Sequence, residues 1–334
     1  MTSYRYKEWD IIRGIGVLLV ILGHSFPDDT SGIWLREDFY GYLKYFIYSF
    51  HMPLFVCMSG FLSSKILNTT SLESLIDYIK TKGKRLLIPY ISVGIMYIPL
   101  QIIMSKYSTR VISGDTLLLD FIKGNNPNYQ LWTLYVLFIL NVLAAILIKS
   151  KTSLYLVSGS FFFISIISIA YRTGINIVDR IMYNGVFFFV GIVLFIHYDY
   201  IRKLQHNKKI KSAIVTIFII LECAYLFTKN NYFTVIIPYF AILTLLFLGL
   251  SCKDCQSKLI RILNIIAEYS MDIYIMSNLS QIGMRLILGK LGCTYGAIYI
   301  AEIISGIIFP IIGSKYILKK SKILQALILG KSIK

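Results

Sequence analysis

The chain has 334 residues, of which 56% are hydrophobic and 15% charged, with a formal net charge of +17. Together with a mean hydropathy of +0.68, this composition excludes an ordinary soluble domain and indicates an integral membrane protein. The five cysteines are odd in number and lie partly in apolar segments, which argues against a disulfide framework. No cluster with metal-ligand spacing is complete, so we expect no metal.

Apolar runs long enough to cross a bilayer core of roughly 30 Å, about 20 residues at 1.5 Å each, recur along the chain. They predict an all-α polytopic protein with about ten transmembrane helices, and not an outer-membrane barrel with its short alternating strands. The first run lacks a small-residue cleavage pattern, so we expect it to be a helix of the mature protein and not a signal peptide. The predicted spans are 9–26, 40–64, 86–105, 130–148, 152–171, 181–197, 212–228, 233–251, 265–287 and 294–313.

Basic residues are distributed unevenly between the loops. With the N-terminus in the cytoplasm, 23 lysines and arginines fall on that side and nine on the other. The positive-inside rule therefore predicts that both termini are cytoplasmic, and the remaining basic excess suits anionic lipid headgroups better than nucleic acid. Without a linker to divide it, 1–314 is predicted to be one transmembrane domain. The stretch 315–334 is predicted to be a basic amphipathic tail on the inner leaflet.

The first predicted helix, "WDIIRGIGVLLVILGHS", contains three side chains that are costly in hydrocarbon: Asp10, Arg13 and His24. Eleven positions at 100° each leave Arg13 and His24 about 20° apart on the helix surface and about 16 Å apart along its axis. Asp10 lies one turn from Arg13 and can pair with it. Such charges normally face a polar interior, although a pair at the interface with a histidine among headgroups is the alternative. Gly14 and Gly16 would let another backbone or a ligand approach.

The second predicted helix, "SFHMPLFVCMSGFLSSK", places His51 two residues before Pro53. Proline removes a backbone donor, so it exposes a carbonyl or bends the helix where this second histidine lies. Histidine is the side chain best suited to general-base chemistry near neutral pH.

Both segments resemble the opening of the acyltransferase-3 family, bacterial membrane acyltransferases that modify cell-surface glycans. Arg13 and His24 match the family's R-x10-H spacing. "KGKRLLIPY" is similar to its RxxR stretch, with Lys82 where the first arginine is usual, a change that alters bidentate phosphate geometry. "YQLWTLYVLF" resembles its fourth helix and "YSMDIYIMSNLS" its ninth, with Ser277 where a histidine is usual.

The resemblance implies transfer of an acyl group, usually acetyl, from cytoplasmic acetyl-CoA to a hydroxyl of a surface polysaccharide or its lipid-linked precursor, in the bacterial cytoplasmic membrane. His24 would act as general base or as transient acyl carrier, and the residues do not separate these roles. Asp10 and His51 would assist it. The basic residues expected to hold the donor phosphates are Arg13, Lys82, Lys84 and Arg85. An ordinary positive-inside loop is the alternative for the last three.

Acidic and aromatic side chains in or beside apolar segments are candidates to bind the acceptor sugar or to orient histidine: Glu222, Glu268, Asp272, Glu302, Tyr129 and Trp132. Pairing with Lys44 or with a helix end, and an interfacial aromatic belt, are the alternatives. We therefore expect acyl-CoA, a glycan or lipid-linked sugar and the bilayer as partners, and no nucleic acid.

Three other functions fit parts of this pattern. A secondary transporter or flippase would also bury charges, but it predicts two similar halves, and no such repeat is present in the sequence. An O-succinyltransferase would use the same residues with a different donor. A nonenzymatic subunit of polysaccharide assembly is mildly favoured by Ser277.

Overall fold

The computed structural model describes residues 6–26, 39–69, 71–103, 116–148 and 150–331, and these contain helices and no strands. The predicted all-α polytopic fold is therefore confirmed. The first seven α-helices are α1 Lys7–His24, α2 Phe39–Leu62, α3 Leu72–Ile103, α4 Leu117–Ile122, α5 Trp132–Leu147, α6 Lys151–Ala170 and α7 Asn176–Ile196. The others are α8 Tyr198–Leu204, α9 Lys208–Thr228, α10 Phe233–Cys252, α11 Lys258–Glu268, α12 Ser270–Lys290, α13 Tyr295–Tyr316 and α14 Lys322–Leu329.

Eight helices within the described ranges are long and apolar enough to cross a membrane by length and composition. They include neither α1 nor α12, which correspond to the first and ninth predicted spans. Both helices are long enough, at 18 and 21 residues, but both carry charged side chains along their length. The total of ten spans and the cytoplasmic position of the termini stay predictions.

Helix α1 lies inside the bundle, in contact with α2, α10, α11, α12 and α13. Glycine permits two of these contacts, as the sequence predicted. A Cβ on Gly14 would lie 2.3 Å from the carbonyl oxygen of Leu263 in α11, and one on Gly16 would lie 2.9 Å from the Phe55 ring of α2. Only a residue without a side chain allows α1 and α11 to approach this closely.

Helices α2 and α7 form a second close contact, backbone to backbone. A Cβ on Gly60 would lie 1.9 Å from the Phe188 carbonyl oxygen, and one on Gly191 would lie 2.0 Å from that of Cys57. By contrast, α6 and α9 are largely exposed, with 17% and 11% of their apolar windows buried in the protein. These two helices therefore have the exposure expected of lipid-facing helices.

The structure differs from the sequence prediction at the ninth predicted span. The predicted span 265–287 is broken at Tyr269, whose φ of −93° and ψ of 15° end α11 and begin α12. Pro53, by contrast, leaves α2 continuous. The stretch between the third and fourth predicted spans is described only from residue 116, where it forms the short helix α4.

The predicted amphipathic tail contains a helix, α14, which packs on α3 and α12. Ile328 and Leu329 at its end are buried against the bundle, whereas Ile323 and Leu327 are exposed. The division into a domain and a leaflet-bound tail stays a prediction.

Candidate functional site

One end of α1 opens into a cleft of about 1000 Å³. Its walls come from α1, α3, α11, α12 and the segment that follows α14, so residues far apart in sequence meet there. We call it the cationic cleft, after the basic side chains on three of these walls: Arg13, Lys84, Arg85 and Lys331. Acidic and aromatic residues complete the lining, among them Trp9, Asp10, Glu268 and Asp272.

Arg13 lies on the cleft wall with its predicted partner. Its Nη1 donates to Oδ1 of Asp10 at 3.3 Å, and the Arg13 side chain remains 29% exposed. Lys84 and Arg85 are exposed on the facing helix α3. The predicted donor residues Arg13, Lys84 and Arg85 are thus brought together by the fold.

Lys82 points to a different neighbour. Its Nζ donates to Ser63 Oγ at 2.7 Å and lies 5.3 Å from the centre of the Tyr78 ring, and Lys82 is not among the cleft-lining residues. It therefore joins α3 to the end of α2. Its predicted role at the donor stays a prediction that the cleft geometry does not favour.

Glu268 and Asp272, predicted for the acceptor, lie in the cationic cleft and not near His24. Glu268 is exposed and pairs with Lys319 at 3.7 Å, in place of the Lys44 partner considered from sequence. Asp272 is buried, and its Oδ1 has no hydrogen-bond partner among the described residues. The Nε1 of Trp9 is buried without a partner in the same way. Because buried polar atoms are normally hydrogen-bonded, this part of the cleft suits a polar ligand or water.

At the other end of α1, side chains of other helices donate to the last four carbonyl groups, where the backbone hydrogen bonds of a helix run out. The four donors come from three helices, α2, α12 and α13, and together they fix the position of the His24 backbone. The donor pairs are Gln281 Nε2 to Ile21 at 3.1 Å, Tyr299 OH to Leu22 at 3.4 Å, Tyr48 OH to Gly23 at 3.1 Å and Arg285 Nη2 to His24 at 3.1 Å. We call this the capped end of α1.

Arg285 is held in turn by Glu302 of α13. Its Nε and Nη2 donate to the two carboxylate oxygens at 2.8 Å each, and the Glu302 side chain is 0% exposed. The sequence pointed to Glu302 as a candidate but did not single out Arg285. The signal that could have found it is the polar stripe Ser277, Gln281, Arg285, whose spacing of four places all three on one face of α12.

The two predicted histidines lie near each other at the capped end. His51 is buried, with Nδ1 2.8 Å from the Ile47 carbonyl oxygen. A carbonyl only accepts, so Nδ1 carries the proton and the Nε2 lone pair is free to act as a base. The His24 imidazole has no hydrogen bond within the described parts of the chain. His51, Lys44 and Arg285 are the titratable groups near it.

A set of buried polar side chains, which we call the polar tract, lies on α12 and on the segment that leads from Gln130 into the first turn of α5. Thr133 Oγ1, Ser277 Oγ, Gln281 Oε1 and both polar atoms of the Gln130 side chain are buried without a hydrogen-bond partner in the described structure. Tyr274 OH of α12 donates to the Gln130 carbonyl, just before α5 begins, and so joins α12 to this segment. Because buried polar atoms are normally hydrogen-bonded, these groups suit water or a polar ligand. The polar tract follows the stripe on α12 that ends at the capped end of α1.

The remaining acceptor candidates are engaged within the protein. Arg180 stacks on Trp132, 3.9 Å from the ring centre, and donates to Tyr129 OH at 2.9 Å. Trp132 is buried, whereas Tyr129 is about half exposed. Glu222 accepts from Ser49 Oγ at 2.6 Å across the α2–α9 contact. Of these three candidates, Tyr129 has the most surface left for a sugar.

Comparison with known proteins gives a consistent family assignment. The model of the Acyl_transf_3 family, described as an acyltransferase domain, matches residues 6–318. The chain is similar to nodulation protein NolL of Sinorhizobium fredii, 30% identical over 192 residues, which cover 55% of this chain and 47% of that protein. It is also similar to NolL of Mesorhizobium japonicum, 40% identical over 67 residues, or 19% of this chain and 17% of that protein. The chain thus matches about half the length of the first relative, and no solved structure matches it.

Proposed function

The chain belongs to the acyltransferase-3 family, and from that premise we propose that this membrane acyltransferase is an O-acyltransferase of the bacterial cytoplasmic membrane. It transfers an acyl group, acetyl in our proposal, from acyl-CoA to a hydroxyl of a surface polysaccharide or its lipid-linked precursor. The observation that carries the proposal is the difference between the ends of α1. One end opens into a cationic cleft, and the other holds two histidines, His51 buried and His24 partly buried with its backbone carbonyl bound by Arg285.

The cationic cleft fits the charge and size of the donor. A coenzyme A thioester carries several phosphate charges, and Arg13, Lys84 and Arg85 supply cations from two helices to one cavity of about 1000 Å³. That volume lies at the upper end of the range typical of small-molecule sites, roughly 300–1000 Å³. When bound, acyl-CoA supplies an activated thioester. Arg13 would bind its phosphates, and Asp10 would hold the guanidinium in place.

The capped end fits proton transfer from the acceptor. The His24 imidazole has no hydrogen bond to any described residue, and His51 has its Nε2 lone pair free. Either imidazole can accept the proton of a sugar hydroxyl, which makes the oxygen a better nucleophile. The carbonyl caps on α1 hold His24 in position, so the base is placed before the acceptor arrives.

The polar tract supports a connection between the two ends. Since α1 is continuous, Arg13 and His24 stand about 16 Å apart along its axis. Of the unpartnered buried atoms, that of Ser277 lies on α12, which contacts α1, and those of Gln130 and Thr133 lie where the start of α5 meets α12. Their unsatisfied hydrogen-bonding groups would suit the amide-containing arm of the donor or a column of water.

The test is mass analysis of surface glycans from cells that carry the deletion, the wild-type gene or His24→Ala. We expect acylated sugar from the wild-type strain only, because the variant lacks the base beside the acceptor. The matched control is His206→Ala, since His206 is an exposed histidine in the loop between α8 and α9.

Control and variant must reach the membrane in equal amounts, as judged by immunoblot. Unchanged acylation in the deletion strain would overturn the O-acyltransferase proposal. Unchanged acylation in His24→Ala alone would remove His24 from the reaction and leave His51 as the candidate base.

A further inference from the structure

The segment that follows α14 forms one wall of the cationic cleft. Gly330 and Lys331 line it together with Leu329, the last residue of α14, and they share the cleft with Arg13, Lys84 and Arg85. No sequence pattern pointed to them, because the amphipathic spacing of α14 predicted only a membrane-surface helix.

Gly330 makes the contact that places this segment. It adopts the left-handed conformation with φ of +61° and caps α14 through its N–H to the Ala326 carbonyl. A Cβ at this position would lie 2.6 Å from the Lys84 carbonyl oxygen and 2.7 Å from the Arg85 Cα. The segment therefore rests on the α3 backbone at the two residues that carry the cleft cations.

Other contacts attach α14, and with it the segment that follows, to the bundle. Ser92 Oγ of α3 donates to the Leu327 carbonyl. Ile328 and Leu329 are buried in a cluster with Tyr90 and Val93 of α3. Helix α14 is thus attached to the protein by both apolar burial and a hydrogen bond, and the position of Lys331 follows from that attachment.

We propose that Lys331 is a donor-binding residue, and that Gly330 positions it beside Lys84 and Arg85 to complete a binding site for the phosphates of acyl-CoA. The proposal rests on the proposed function, since it takes the donor to be a coenzyme A thioester. Charge complementarity supports it: Lys331 adds a third exposed cation to the two on α3, and phosphate groups are held best where several cations converge.

The test is binding of coenzyme A to the purified full-length protein in detergent, measured by calorimetry for a charge series at position 331. We expect Lys331→Arg to bind like the wild type and Lys331→Ala to bind about fivefold more weakly, the scale of one exposed charge contact. Lys331→Glu should bind more weakly still. Lys320→Ala is the matched control, because Lys320 is an exposed lysine nearby that does not line the cleft.

Gly330→Val gives an independent arm. A valine there would collide with the α3 backbone in an unfavourable conformation, so we expect a loss of affinity at least as large as that of Lys331→Ala. If this variant does not fold, the charge series decides alone, since Lys331 is exposed.

Equal affinity of Lys331→Ala, Lys331→Glu and wild type would overturn the role of Lys331. If the wild type itself bound no coenzyme A, the proposed function would fail, and this inference with it. The two failures are therefore distinguishable.

Discussion

The two ends of α1 are built in opposite ways. At the cationic cleft, Arg13 is 29% exposed and its contact with Asp10 measures 3.3 Å. At the capped end, Arg285 is 11% exposed and binds a fully buried Glu302 through two contacts of 2.8 Å. One end leaves its arginine partly exposed to solvent, whereas the other keeps its arginine paired within the protein.

The difference shows that an arginine has one role at the open end of α1 and another at the buried end. An arginine at an open surface stabilises the fold little, because water competes for it, so its charge is available to a ligand. A buried arginine that binds a carboxylate and a helix carbonyl is needed by the fold, because its loss leaves polar groups without partners. Three substitutions test this comparison.

The largest effect is expected from Arg285→Met. It leaves the Glu302 carboxylate buried without its bidentate partner and removes the donor to the His24 carbonyl, so we expect a loss of about 3–5 kcal/mol in stability. The measurement is the thermal unfolding midpoint of the purified protein in detergent. Adding Glu302→Leu to this variant should restore most of the midpoint. A midpoint equal to that of the wild type for Arg285→Met alone would show that the capped end does not depend on this pair.

An intermediate effect is expected from Gly14→Val, which tests how the cleft end of α1 is held. The new side chain would meet the Leu263 backbone of α11, which cannot move aside as a side chain can. We expect a loss of about 1–3 kcal/mol, typical of overpacking. Gly159→Val is the matched control, because a Cβ on Gly159 meets nothing within 4 Å. Equal midpoints for the two valine variants would contradict the close α1–α11 contact.

The smallest effect on stability is expected from Asp10→Asn. The Asp10–Arg13 contact is long and partly exposed, so its loss should cost less than about 1 kcal/mol. The same thermal midpoint measures it. Should Asp10→Asn destabilise the protein as much as Arg285→Met, the two ends of α1 would not differ in the way described.

Local features of this protein could be predicted from the sequence. The Arg13–His24 relation depends only on helix geometry within one segment, and the structure keeps both on a continuous α1. The Asp10–Arg13 pair is local for the same reason. Helix α14 follows from its amphipathic spacing.

Features that depend on helix pairing could not be predicted. Arg285 is 261 positions from His24 in sequence, and its contact exists only because α12 packs beside α1. The break at Tyr269 has neither glycine nor proline beside it, so the sequence carried no helix-breaking signal there. The approach of Lys331 to Lys84 likewise depends on how α14 docks.

The four carbonyl caps also limit how the length of α1 can change. Inserting one residue between Arg13 and His24 would rotate the end of the helix by 100° and advance it by 1.5 Å. Every cap, from Ile21 to His24, would then face the wrong donor at once. A substitution in this segment leaves the four carbonyl groups in place, whereas an insertion or deletion moves all of them together. The packing of the surrounding helices therefore fixes the number of residues between the arginine and the histidine, independently of any chemistry at the two ends.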